Sequence, residues 1–260
     1  MSLSLSESQR RMYALETSEN FRWVSNMLAT PSQRHLTSKD LAPLDLQTQL
    51  SDFGQYAELA LGKLSSPEFI WKNMDRLLEP RFPLEGYNAL RGSELVSSFR
   101  GSIGNLQGVI ARQSDKLIVA FSGTSNFTQS LNNFDARLRP HNAGGECKVH
   151  GGFWRLYDGI RKVAMDELAK ALQKGDVLEL ILTGHSLGAA SCYLFALDLL
   201  GERAEILSSK SVTLTLALFG CPRAANLALV QHWRKLCADR LSQGFTIREY
   251  SVKGYNDGTS

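Results

Sequence analysis

The segment Gly-His-Ser-Leu-Gly at positions 184–188 places a serine between two glycines at a spacing that suits nucleophilic chemistry. An apolar run that predicts a strand, Val177–Thr183, precedes it, and a run that predicts a helix, Ser186–Leu200, follows it. A strand-to-helix turn this tight forces its serine into a strained conformation, and the flanking glycines remove Cβ atoms that would collide with the neighbouring strand and helix. The Ser186 hydroxyl would then project from the sheet edge at a helix N-terminus, where the helix dipole favours an anionic intermediate.

Nucleophilic attack by Ser186 is the first interpretation of this motif, and a simple capping role is the second. Serine is a preferred N-cap residue, so a glycine-rich turn can carry Ser186 without any chemistry. A serine hydroxyl does not ionise at neutral pH, so acyl transfer also needs a base for its proton and donors for the oxyanion. Other parts of the chain must supply both.

Four segments of the chain form a recognisable combination of motifs. They are Val-Ala-Phe-Ser-Gly-Thr (119–124), Val-His-Gly-Gly-Phe (149–153), Leu-Ile-Leu-Thr-Gly-His-Ser-Leu-Gly-Ala-Ala (180–190) and Phe-Gly-Cys-Pro-Arg (219–223). In order and spacing they resemble the motifs of the class 3 lipases, the fungal-type triacylglycerol lipases, over roughly residues 45–260. The resemblance implies an α/β-hydrolase fold and a serine carboxylic-ester hydrolase that acts on acylglycerols or similar lipid esters through an acyl-enzyme on Ser186.

The resemblance also implies roles for individual positions. In the family an oxyanion donor lies in the segment matched by residues 119–124, so Thr124 resembles the residue that supplies a backbone N–H, with the N–H of Leu187 as the second donor. The family's acid follows the second strand after the nucleophile, which makes Asp257 the matching carboxylate that would orient the catalytic imidazole. A polar turn residue at Thr124 and an Asn-Asp-Gly turn without chemistry at Asp257 stay open as alternatives.

The family's catalytic histidine lies well beyond its acid, and here the chain departs from that pattern. All of its histidines precede the predicted acid: they are His35, His141, His150, His185 and His232. We expect His150 to be structural and the ring of His185 to point away from the nucleophile. The sequence therefore predicts either a chain truncated before the base, with the C-terminal part of the α/β-hydrolase fold missing, or a catalytically impaired lipid-binding relative. If another group replaces the base, His141 is the first candidate.

Alternating strand and helix signals predict the scaffold that holds these residues. Helices are predicted over Leu44–Leu61, Glu68–Leu78, Phe153–Leu172, Ser186–Leu200 and Ala224–Leu241, and strands over Glu94–Arg100, Leu106–Arg112, Lys116–Phe121, Val177–Thr183, Val212–Phe219 and Phe245–Val252. The alternation implies βαβ crossovers, and hence an α/β fold with a mostly parallel central sheet and helices on both faces. Residues 1–40 predict a loosely ordered N-terminal extension, and residues 41–260 predict one lipase-like domain.

Composition and charge exclude several other classes of protein. Of the 260 residues, 29 are basic and 26 acidic, and the net charge of +3 is too small for a nucleic-acid-binding surface. The sequence shows neither an apolar run long enough for a transmembrane segment nor a signal-peptide core, so we expect a cytoplasmic protein. The four cysteines lack metal-ligand spacing and no nucleotide or flavin motif occurs, so we expect no metal and no cofactor. The oligomeric state stays open.

After the oxyanion segment the family carries a flap over its acyl site. Here Phe127, Leu131, Phe134 and Leu138 recur at a spacing that predicts one apolar face of a lid helix. Such a helix can lie on a lipid–water interface or cover an apolar cleft, and an ordinary surface helix is the alternative. The polar opposite face keeps a soluble esterase for short or aromatic esters open as a second substrate class.

If this lid helix covers the site, ester hydrolysis should rise once the substrate exceeds its solubility limit, because an apolar surface favours the open lid. Changing both Phe127 and Phe134 to Ser removes apolar contacts on that face, and we expect the rise to disappear. The measurement is the hydrolysis rate against the concentration of a sparingly soluble ester. An unchanged profile in the variant would favour the soluble esterase.

Overall fold

A mixed sheet forms the centre of the computed structural model, which describes residues 41–60, 66–123, 137–174, 176–208 and 212–253. Its strands are β1 (Glu94–Arg100), β2 (Gln107–Gln113), β3 (Lys116–Phe121), β6 (Glu179–His185), β7 (Thr213–Phe219) and β8 (Thr246–Val252), in the spatial order β1-β2-β3-β6-β7-β8. Two short strands, β4 (Leu138–Pro140) and β5 (Lys148–His150), pair separately. The predicted extension over residues 1–40 lies outside the described residues.

The four strands β3, β6, β7 and β8 are parallel, whereas β1, β2 and β3 are antiparallel. The prediction of a mostly parallel central sheet is therefore confirmed. Parallel strands joined by crossovers end at the same edge of a sheet, which is where ligands bind in such folds. The carboxyl ends of β3, β6 and β8 therefore lie at one edge of the sheet.

Helices cover both faces of the sheet, as predicted. One face carries α1 (Leu44–Leu59), α2 (Pro67–Lys72) and α3 (Met74–Leu77), and the other carries α4 (Gly151–Gln173), α5 (Leu187–Gly201) and α7 (Leu227–Ser242), with the short α6 (Glu205–Ser208) after α5. Alternate residues of β6 divide between the two cores: Leu180 and Leu182 belong to one, and Ile181 belongs to the other. This double burial explains the unbroken apolar run of the strand. Within the described ranges, no helix has the length and apolar character needed to cross a bilayer.

Asn73 divides the predicted helix Glu68–Leu78 into α2 and α3. Its backbone leaves the helical region, at φ −115° and ψ 18°, and its side-chain Nδ2 donates to the carbonyl of Phe69 at 2.8 Å. A side chain that bonds to a helix carbonyl competes with the backbone ladder. The apolar spacing alone predicted one continuous helix, because it contains no information about this bond.

Leu138 corrects part of the lid prediction. It lies in β4, paired with His150 of β5, and not in a helix; its side chain is 49% exposed. The backbone pairing with β5 decides this conformation, and Pro140 two residues later disfavours a continuing helix. The other three predicted lid residues, Phe127, Leu131 and Phe134, lie outside the described residues.

A buried polar cluster joins α4 to α5. The hydroxyl of Tyr157 donates to Asp198 Oδ2 at 2.5 Å, and Arg161 Nε lies 3.4 Å from the same oxygen. Tyr157 is fully buried and Asp198 is 5% exposed. Burial raises the pKa of the Asp198 carboxyl, although the hydrogen bond from Tyr157 and the charge of Arg161 oppose the shift. If either the Tyr157 hydroxyl or the Asp198 carboxyl were removed, the other group would lose a hydrogen bond that water cannot reach to replace.

We expect Tyr157→Phe to lower the free energy of unfolding by about 1–3 kcal/mol, because Asp198 would lose a buried donor. Tyr87→Phe is the matched control: the Tyr87 hydroxyl donates to Glu58 at 2.5 Å in an exposed pair, where water can replace it. Urea unfolding of both variants measures the difference. Equal losses in the two variants would contradict a special role for the buried cluster.

Candidate active site

Ser186 occupies a strained position between β6 and α5. Its φ of 55° and ψ of −117° lie in a region that residues with a Cβ rarely adopt, at a cost of order 1–3 kcal/mol. Its N–H donates to the carbonyl of Phe219 at the end of β7, 2.9 Å away, so β7 holds the strained backbone in place. Although Ser186 stands at the N-cap position, its side chain makes no capping hydrogen bond. The capping interpretation is therefore wrong, and the nucleophile role of Ser186 stays a prediction.

The two flanking glycines are required by close backbone contacts. A Cβ on Gly184 would lie 2.5 Å from the carbonyl carbon of Gly188, on the first turn of α5. A Cβ on Gly188 would lie 2.2 Å from the carbonyl oxygen of Phe121, at the end of β3. Both distances are well inside van der Waals contact, which confirms the predicted collisions with helix and strand.

Leu187 begins α5 and is 1% exposed. The first N–H groups of a helix have no acceptor within the helix, and the helix dipole adds positive potential at this end. Leu187 stays the predicted oxyanion donor, because its N–H belongs to this first turn. Thr124, the other predicted donor, lies outside the described residues, which reach Gly123 on this side of the gap.

The predicted acid follows β8. The carbonyl of Val252, the last residue of that strand, accepts a hydrogen bond from the N–H of Gly220 at 2.8 Å, so β8 stays in register with β7 up to the sheet edge. Asp257 comes five residues after Val252 in the sequence and lies outside the described residues. Its role stays a prediction.

His150 and His185 have the environments that the sequence predicted. The His150 ring stacks on Phe153, with ring centroids 4.4 Å apart. The backbone N–H of His150 donates to the carbonyl of Ala224 at 2.8 Å. His185 is exposed at the end of β6, whereas Ser186 is 8% exposed. Both observations fit packing and surface roles.

His141 packs beside the N-terminal part of α4. Its ring lies edge-on against Trp154, with centroids 5.0 Å apart, and its Nδ1 accepts a hydrogen bond from the N–H of Ala143 at 3.1 Å. Burial lowers the pKa of its imidazole, and the nearby charge of His232 lowers it further. The suggestion that His141 replaces the base stays a prediction.

Two polar side chains under the site were missed by the sequence analysis. The buried Thr183 hydroxyl lies 2.8 Å from the carbonyl of Ala217 and 3.2 Å from that of Phe53, linking β6 to β7 and to α1. The N–H of Gln107 donates to Ser122 Oγ at 2.9 Å, just beyond the end of β3. A serine or threonine next to a motif carries no sequence signal for such bonds.

Cys192 is fully buried on α5, as expected.

A cleft of about 510 Å³ lies beside the site, between α5, α7 and β8. It reaches the same sheet edge through Cys221 and Lys253, but neither Ser186 nor Leu187 lines it. Its walls are mainly apolar and include Tyr193, Leu194, Leu197, Leu229 and Trp233.

Among the described residues, no group of histidine, cysteine and acidic side chains is arranged to hold a metal ion.

Known proteins with similar sequences are lipid hydrolases. The chain is 29% identical over 143 residues to the chloroplastic phospholipase A1-Ialpha2 of Arabidopsis thaliana, covering 47% of this chain and 28% of that protein. It is 27% identical over 136 residues to a lipase of Rhizopus oryzae, covering 51% of this chain and 34% of that protein. The chain thus matches about a third of the length of these curated relatives.

Solved structures of fungal lipases share the fold. The lipase of Rhizopus microsporus var. chinensis superimposes with a TM-score of 0.62 at 23% identity, over 85% of this chain and 71% of that one. The triacylglyceride lipase of Rhizomucor miehei gives a TM-score of 0.63 at 20% identity, over 81% of this chain and 72% of that one. The α/β-hydrolase fold predicted from the sequence is confirmed.

We expect Gly188→Ala to destabilise the protein by about 1–3 kcal/mol, because the new Cβ would overlap the carbonyl of Phe121. Gly201→Ala is the matched control at the other end of α5, where the nearest atom to a new Cβ is 4.0 Å away. This control should be neutral or slightly stabilising, since alanine favours a helix. Thermal and urea unfolding compare the two, and a stable Gly188→Ala protein would contradict the contact.

The family model for class 3 lipases matches residues 118–248, which is half of the chain and includes most of β3, all of β6 and β7, and the turn at Ser186. Fold, motif order and this match agree, and the chain belongs to the class 3 lipase family.

Proposed function

We propose that this protein is a serine carboxylic-ester hydrolase that acts on lipid esters through an acyl-enzyme on Ser186. The observation that carries the proposal is the strained backbone of Ser186 at the N-terminus of α5. Gly184 and Gly188 make room for this turn, because a Cβ on either would collide with neighbouring backbone. Strain of this kind persists only where the surrounding structure maintains it, and it concentrates at functional sites.

The proposed reaction has two steps. The Ser186 oxygen attacks the ester carbonyl, a base takes the hydroxyl proton, and the carbon–oxygen bond to the alcohol breaks as that proton passes to the leaving alcohol. Water then attacks the acyl-enzyme and releases the carboxylic acid. The N–H of Leu187, with that of Thr124, would stabilise the oxyanion in both steps, and Asp257 would orient the imidazole of the base.

The names of the relatives support a lipid substrate. They include a phospholipase, a galactolipase and several lipases. The predicted lid face, with Phe127 and Phe134, would suit a substrate at a lipid–water interface. Activity on dissolved short or aromatic esters without an interface is the second candidate. The third, a lipid-binding relative without catalysis, is favoured only by the order of residues, since every histidine of the chain precedes Asp257.

We expect Ser186→Ala to abolish labelling by a fluorophosphonate and to lower kcat for ester hydrolysis by on the order of 10⁶, because nothing else on this turn can form the acyl-enzyme. The measurement uses the protein produced from its complete coding sequence. Ser102→Ala is the control, since the hydroxyl of this exposed serine donates to the carbonyl of Gly159.

Three outcomes separate the candidates. Labelling that depends on Ser186, together with hydrolysis, supports the proposal. Labelling that survives in Ser186→Ala would refute the assignment of the nucleophile. A wild-type protein that binds lipid but neither labels nor hydrolyses esters would contradict the proposed function and favour the lipid-binding relative.

A further inference from the structure

The aromatic ring of Phe219 lies on the face of the sheet that α1 covers, next to the turn at Ser186. Phe219 is the last residue of β7 and packs against the apolar core between the sheet and α1. In the parallel ladder it pairs with His185, the residue before Ser186. A Cβ on Gly54, within α1, would lie 3.4 Å from the ring atom Cζ. The ring therefore reaches the backbone of α1 at a residue that has no side chain.

The backbone of Phe219 contacts Ser186 directly. Its carbonyl accepts the N–H of Ser186 at 2.9 Å, which continues the ladder between β6 and β7 by one residue beyond His185. The backbone of Ser186 is strained, at φ 55° and ψ −117°, and such strain persists only where the surroundings hold it. Because the backbone sets the direction of the Cα–Cβ bond, a relaxed turn would also redirect the Ser186 hydroxyl.

A second contact from α1 supports β6 just before the turn. The hydroxyl of Thr183 lies 3.2 Å from the carbonyl of Phe53, which precedes Gly54 in α1, and 2.8 Å from the carbonyl of Ala217 in β7. Thr183 is fully buried, so water cannot take over these bonds. Two consecutive residues of α1 thus contact the ends of β6 and β7. This helix lies outside residues 118–248, which the family model matches.

We propose that Phe219 is a positioning residue for Ser186, and that Gly54 of α1 provides the surface on which its ring is seated. The seated ring fixes the end of β7, so the Phe219 carbonyl stays in place for the N–H of Ser186. Without the ring, the end of β7 can shift, this hydrogen bond weakens and the strained turn relaxes. The inference rests on the proposed function, because it takes Ser186 as the group that attacks the ester.

The test compares variants of Phe219 and Gly54 in the protein produced from its complete coding sequence. We expect Phe219→Ala to lower kcat for a dissolved ester by about 10²-fold with little change in KM, since a misplaced nucleophile slows the chemical step and leaves substrate binding intact. The rate constant of fluorophosphonate labelling should fall in parallel. Gly54→Leu should also lower kcat, because the longer side chain would displace the ring. Gly54→Ala adds a methyl group at contact distance and should keep most of kcat. Alanine and leucine both favour a helix, so neither change at Gly54 weakens α1 itself.

Tyr157→Phe separates positioning from a general loss of stability. It removes a buried hydrogen bond between α4 and the far part of α5, so it should lower the free energy of unfolding and leave kcat of the folded protein unchanged. If Phe219→Ala does not fold, Phe219→Leu carries the same comparison, because it removes the ring and keeps an apolar side chain.

Two outcomes would overturn the inference and leave the proposed function intact. One is a folded protein without the ring that keeps wild-type kcat and labelling. The other is a loss of kcat in Tyr157→Phe as large as that in Phe219→Ala. A wild-type protein that neither labels nor hydrolyses esters would contradict the proposed function, and the inference would fall with it.

Discussion

The direct contact between the first turn of α5 and the ends of β3 and β6 is the constraint on which the site depends. Gly184 and Gly188 allow three backbone segments to meet with no side chain between them. This contact brings the N-terminal end of a helix, with its unsatisfied N–H groups and positive dipole, to the carboxyl edge of the sheet. Larger side chains at either glycine would move the helix outward and the site would open.

Strain at Ser186 can persist because its surroundings are rigid. β7 accepts the N–H of Ser186, β8 accepts the N–H of Gly220, and the parallel ladders keep the ends of these strands aligned. Under the turn, the Thr183 hydroxyl links β6 to β7 and to α1. α5 itself is apolar on nearly all sides, so burial in the core holds it against the sheet.

Polar interactions hold the far end of α5, about three turns from the nucleophile. Asp198 takes a hydrogen bond from Tyr157, and Arg161 reaches both Asp198 and Glu202. These groups anchor α5 to α4 at the end of the helix opposite Ser186.

The sequence by itself determined the strand and helix order, the parallel sheet and the tight turn at Ser186, because apolar periodicity and two glycines around a serine are local signals. It also predicted the buried Cys192 and the packing role of His150. The break at Asn73 is local, a side-chain bond to the carbonyl of Phe69 four residues earlier, but apolar periodicity does not record such a bond. Only the tertiary structure showed that Leu138 lies in a strand, and it alone revealed the bonds of Ser122 and Thr183. These last features depend on which segments pack against one another, and contacts between residues far apart in the chain leave no local pattern to interpret.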